Sequence, residues 1–160
     1  MGRRILKLLV LLLLPACARS AGDAAIDRST LRGLHGVAVV IDVLDPGIEK
    51  LGVTRHALVA QLLTRLQAGG ITIDPGAREF LGLRINTVRG SRGPFALALS
   101  LGLYQPVLLS RDHDLHTSTQ TWEVESVLMA GPKELLTACS ETAEELADRF
   151  SAAYHSVNPK

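Results

Sequence analysis

Cysteine is almost missing from this 160-residue chain, which has only Cys17 and Cys139. With Cys17 in a leader that is removed or lipidated, Cys139 stands alone and no internal disulfide can form, so the fold must be held by its core. A long apolar run is missing too: the longest, Leu8 to Leu14, falls well short of the roughly 20 residues that span a bilayer. Charge of one sign is also missing. Seventeen basic residues stand against sixteen acidic ones, and loss of Arg3, Arg4 and Lys7 with a leader leaves fourteen against sixteen, a net charge of −2. That balance speaks against nucleic acid as a partner and against a polybasic lipid-binding patch. No internal repeat and no low-complexity tract is visible, which excludes a solenoid.

The usual catalytic signatures are likewise absent. No Gly-x-Ser-x-Gly elbow exists for a serine hydrolase. Arg89-Gly90-Ser91-Arg92-Gly93 lacks the Lys-Ser/Thr of a phosphate loop, and it sits between two strands, where a hairpin turn explains it. His56 stands in His-Ala-Leu-Val-Ala, without the Glu and second His of a zincin helix. No cofactor is implied.

What is present begins with an export signal. Arg3, Arg4 and Lys7 are followed by the short apolar run and then by small residues, the pattern of a secretory leader at 1–18. Ala16-Cys17-Ala18 offers cleavage after Ala18. Leu14-Pro15-Ala16-Cys17 also resembles a bacterial lipobox, with Cys17 as the lipidated residue, but Pro15 departs from that pattern. Simple cleavage is therefore expected, with a lipid anchor at Cys17 as the alternative and no membrane span in the mature protein. Residues 19–30 are small and polar and read as a flexible leader to a single domain at 31–159.

Hydrophobic content of 47% with 21% charged residues suits a globular domain able to bury a core. Gly36–Leu44 is apolar on both faces except for Asp42, as in an interior strand of a covered sheet. Val53–Ala68 carries Leu58, Leu62 and Leu66 at helical spacing, with Thr54 to cap it and Gly69-Gly70 to stop it. Ile71–Ile73 then reads as a strand parallel to the first, completing a βαβ unit. Asp74-Pro75 suits the start of a brief helical turn. Leu83–Arg89, Phe95–Leu109 and Thr117–Met129 alternate as an antiparallel meander, with Arg111–His116 a polar loop and Pro106 a bend or bulge. A last helix from about Lys133 to His155 places Cys139 on its apolar stripe. The fold class expected is α/β (α+β): a two-layer sandwich of about five strands in a mixed sheet, covered on one face by two helices.

Two places could carry function. Asp112, His113 and His116, with Asp114, are metal-ligand types close together on one loop. The plain alternative is a solvated hairpin tip. Glu123 and Glu125 share a strand face, not the opposed arrangement a glycosidase needs. The second place is the sheet face away from the helices, where Ala96, Ala98 and Ser100 lie beside Thr119, Thr121 and Glu123. Small side chains make such a face flat enough to accept another sheet, a helix or a second copy.

This order of elements resembles the small α/β domain of the TolB N-terminal region and of the curli-secretion lipoprotein, both of the bacterial envelope. The ending Asp148-Arg149-Phe150, Tyr154 and Ser156-Val157-Asn158-Pro159 is similar to the tail of a group of uncharacterised exported bacterial proteins. The resemblance implies a cell-envelope setting and transfers no catalytic residue. The expectation is thus an exported periplasmic or envelope protein, a binding or assembly module, with an envelope partner or self-association. The alternative is a small metal-dependent hydrolase using Asp112–His116.

Overall fold

Alternation of Leu with Ala, Ser and Gly along one strand gives a sheet with one greasy face and one shallow face, and the rest of the chain is arranged around that asymmetry. The computed structural model describes residues 22–90 and 93–159. The leader at 1–18 with Cys17 and the cleavage site, and Ser91 and Arg92 of the glycine-rich turn, lie outside the described residues.

The elements are α1 (Ala25–Ser29), β1 (Ala38–Ile41), α2 (Pro46–Glu49), α3 (Arg55–Ala68), β2 (Phe80–Arg89), β3 (Phe95–Leu109), β4 (Asp112–Ala130) and α4 (Leu135–Val157). They form a mixed α/β fold with four strands in the order β1-β2-β3-β4. Helix α3 carries the chain from β1 to its parallel neighbour β2, where Ala38 pairs with Phe80 and Ile41 with Leu83. The remaining pairs are antiparallel.

Four strands stand where about five were expected, because Ile71–Ile73 makes a single parallel bridge, Ile73 to Val37. Gly69-Gly70 before it and Asp74-Pro75 after it leave no length for a ladder. Asp74 does not start a helical turn either: its Oδ1 accepts from Gly76 N at 2.9 Å, a local Asx turn that satisfies the cap without a helix. The opening strand also differs from expectation. It lies at an edge rather than inside the sheet, and it ends at Ile41. Beyond it Val43 is exposed, while Leu44 and Ile48 turn into the core around α2, whose cap Asp45 accepts from Gly47 N at 2.6 Å.

The inner face stacks Leu81, Leu83 and Ile85 of β2, Leu97, Leu99, Leu101 and Leu103 of β3, and Trp122 and Val124 of β4, all buried. Helix α3 lays Leu58, Leu62 and Leu66 on it, capped by Thr54, whose Oγ1 accepts from Ala57 N at 3.3 Å. Helix α4 adds Leu135, Cys139, Ala143, Leu146 and Phe150. Phe150 meets Trp122 edge-on with centroids 5.2 Å apart, a favoured aromatic geometry. The lone Cys139 is fully buried, and burial pushes its thiol up to about 11.

Residues 22–30 depart from the reading of a flexible leader. Gly22 O accepts from Glu123 N at 3.1 Å on the outer side of β4, and α1 follows at once. Asp23 is the fastening: its Oδ1 accepts from Trp122 Nε1 at 2.8 Å, and both carboxylate oxygens accept from Arg28 at 2.8 and 2.6 Å. Small polar composition hid this because one carboxylate, not an apolar stripe, docks the segment. The tail closes over it, as Asn158 bonds Leu31 O and Gly33 N at 2.9 and 2.8 Å.

Candidate binding face

Because both long helices lie on the inner side, alternate residues of the same strands face outward with no helix on them, although Ser100 and Gly102 are buried there beneath side chains of the sheet itself. Ala96, Ala98, Ser100 and Gly102 occupy the middle of this face along β3, as expected from their alternation with leucine. Their cross-strand neighbours supply its relief. Ala96 lies between Val88 and Met129, and Ala98 between Asn86 and Val127. Val88, Val127 and Met129 are 71%, 73% and 70% exposed, so this end of the face is an apolar band in water.

The other end is polar and concave. A hollow of about 180 Å3 is lined in part by Phe80, Gly82, Arg84, Gly102, Tyr104 and Glu123. The two glycines form its floor because side chains from neighbouring strands lean over them. A Cβ on Gly82 would stand 3.1 Å from the Tyr104 ring, and one on Gly102 2.9 Å from the Gln120 amide carbon. Phe80 and Tyr104 pair across strands and stack with centroids 4.9 Å apart. Hydrogen bonds then cross the sheet: Arg84 Nε donates to Asp42 Oδ2 at 2.9 Å, Arg84 Nη2 to Tyr104 Oη at 3.4 Å, and Tyr104 Oη to Gln120 Oε1 at 2.8 Å. The hydrogen bond to Asp42 and the Asp42 charge raise the Arg84 pKa above its ordinary value.

Two of the expected face residues are not where simple alternation puts them. Between the pairs Leu103–Trp122 and Tyr104–Gln120 the register slips, leaving Thr121 as an extra residue in a β-bulge. Gln120 therefore takes the outer position beside Tyr104. Thr119 pairs with Gln105, whose amide donates to Thr30 O on the α1 side. Thr121 O accepts from Thr30 Oγ1 at 3.4 Å, and its own Oγ1 is shut from solvent with no partner among the described residues. Glu123 stays on the face. The bulge also lies near Pro106, where a bend or bulge was expected, but on the facing strand.

Asp112, His113, Asp114 and His116 belong to β4 rather than to a loop, all of them exposed. Asp112 pairs with Leu109 and His116 with Leu108, so His113–Leu115 bulge out at the hairpin tip. Asp114 N donates to Asp112 Oδ1 at 3.2 Å. Among the described residues no three His, Cys, Asp or Glu side chains converge as metal ligands.

The residues that sequence reasoning missed are Asp42, Phe80, Arg84 and Gln120. None of them carried a signal in the sequence, because Phe80 and Arg84 flank a shared hollow only once the register sets Gly82 opposite Gly102.

No protein-family model matches this chain, and no curated protein matches it. Among solved structures it is similar to the PelC dodecamer from Paraburkholderia phytofirmans, at 18% identity and a TM-score of 0.42, covering 85% of this chain and 94% of that one. It is similar also to a minor lipoprotein from Acinetobacter baumannii, at 11% identity and a TM-score of 0.26, covering 76% and 92%. Among the described residues no helix is long and apolar enough to cross a membrane.

Proposed function

We propose that this chain is an exported module of the cell envelope that acts by binding another envelope protein on the helix-free face of its sheet. The observation that carries the reading is the exposed apolar band of Val88, Val127 and Met129 around Ala96 and Ala98. Exposed apolar side chains that lie contiguously, beside a polar rim, mark interaction surfaces more often than singly scattered ones do. The adjoining hollow, with the Arg84 cation paired to Asp42 and the Tyr104 and Gln120 polar tips, supplies the orienting contacts that an apolar band lacks. Leader-directed export sets the compartment in which such a partner is met.

A photo-crosslinking residue at Ala98, in cells exporting the chain at native level, tests this. The expected result is one discrete adduct that disappears when Asn86→Arg is added beside the probe. Adducts that are diffuse, or indifferent to Asn86→Arg, sink the reading.

A further inference from the structure

We infer that the hollow over Gly82 and Gly102 receives one lysine side chain of the partner that binds the outer face, with Glu123 as the counter-ion of its ammonium group. This rests on the reading above and names the partner's chemistry at that site. The hollow is a trough one residue row wide. Its row crosses all four strands as Val40, Gly82, Gly102 and Glu123, each paired with the next. The row on one side raises Phe80 and Tyr104 as an aromatic wall, and the row on the other raises Arg84 and Ser100. Side chains of alternate residues stand up from a sheet, so two adjacent glycines between such rows leave a furrow.

Charge decides what the furrow takes. Of the ionisable side chains lining it, Asp42 and Glu123 stand against Arg84. Arg84 is already paired with Asp42 at 2.9 Å, so the uncompensated charge is the Glu123 carboxylate. Glu123 is half-buried, and among the described residues its carboxylate has neither an ion pair nor a hydrogen bond. A carboxylate so placed gains most from a cation that brings its own donors. Ser100 is an independent sign of a guest. It is only 9% exposed, it lines the trough, and its hydroxyl has no hydrogen-bond partner among the described residues. Buried polar groups are ordinarily satisfied. An ammonium group, with three donors, can serve Ser100 Oγ and Glu123 together.

Size and polarity select lysine. The trough holds about 180 Å3, less than the roughly 300 Å3 at which small-molecule pockets begin, and so suits one inserted side chain. Its row starts at Val40 on the edge strand β1, passes the Tyr104 ring leaning over Gly82, and ends at Glu123. An apolar start and an anionic end match a lysine laid lengthwise, with its methylene stem along Val40 and Tyr104 and its charge at Glu123.

Titration of the isotope-labelled, exported and processed protein with a capped Ala-Lys-Ala peptide, followed by amide NMR, tests the site. Saturable shifts at Gly82 and Gly102 are expected. They should vanish when norleucine, which keeps the stem without the ammonium group, replaces lysine in the peptide. Glu123→Gln should weaken the lysine peptide by about tenfold, the scale of a lost hydrogen bond to a charged group, with the spectrum otherwise native. Equal shifts from the norleucine peptide, binding unaltered in Glu123→Gln, or no shifts at the trough overturn the inference. In cells the Ala98 adduct should fall in Glu123→Gln. An adduct of undiminished yield overturns the lysine anchor and leaves the binding face standing. A wild type without any Ala98 adduct sinks the face reading instead, and the titration, which needs no partner, still decides the trough.

Discussion

Strand β3 serves two environments with alternate residues. Leu97, Leu99, Leu101 and Leu103 are shut from solvent beneath α3 and α4, while Ala96, Ala98, Ser100 and Gly102 face outward with no helix above them, the last two covered by side chains of the sheet itself. The inner residues are large and of one kind, because a buried layer rewards volume and close packing. The outer ones are small, and what they build depends on neighbours reaching over them from β2 and β4. One face therefore holds the fold, and the other tolerates change where it is exposed, at Val88, Val127 and Met129, rather than at the crowded glycines.

The largest effect expected from that contrast is at the inner face. Trp122→Ala removes the packing against Phe150 and the partner of Asp23 together, and should cost about 3–5 kcal/mol, read by denaturant unfolding. An inner-face truncation that costs less than about 1 kcal/mol would mean that the two faces are not so unequal. Next comes the fastening at Asp23. Asp23→Ala leaves Trp122 Nε1 and the Arg28 guanidinium without their acceptor, for a loss of about 1–3 kcal/mol.

Acid sharpens the same point. Burial works to raise the Asp23 carboxyl, but hydrogen bonds from Arg28 and Trp122 and the Arg28 charge outweigh it, and its pKa lies below 3.8. A lowered folded pKa contributes stability that is present above the unfolded value and is lost as pH falls through the folded one. Stability should thus fall below about pH 4 more steeply in the wild type than in Asp23→Asn, as urea midpoints across that range would show.

At the alkaline end the sign is reversed in origin. Cys139, at about 11 against an ordinary 9.0, holds its proton in the folded state more firmly than in the unfolded one. Its contribution is complete below about pH 9 and is lost as pH rises toward 11. Cys139→Ala should flatten that decline, and a thiol reagent at neutral pH should leave the native protein unlabelled. The smallest effect is on the outer face, where Met129→Lys should change folding stability by less than about 0.5 kcal/mol in the monomer. A large loss there would show that the apolar band is structural rather than free.

Much of the architecture was legible from local pattern. The 3.6-residue period marked α3 and α4 and put Cys139 inside, and the two-residue period marked the meander and sorted the leucines from the alanines. Both are short-range regularities imposed by the side of an element that meets the core, so a sequence displays them directly.

Tertiary structure decided the rest. That β1 lies at an edge depends on which strands pair, and its apolar residues would look the same in the interior. The bulge at Thr121 shifts the phase of alternation by one residue, replacing Thr119 and Thr121 by Gln120 on the outer face, and a change of phase has no signature in composition. Asp23 gave no periodic signal because its partners are Arg28 on the next turn and Trp122 far along the chain. The hollow over Gly82 and Gly102 exists only through the register that sets Phe80 beside Tyr104 and Arg84 beside Asp42. Periodicity reports where each side chain points within its own element, whereas pairing between distant segments decides what it points at.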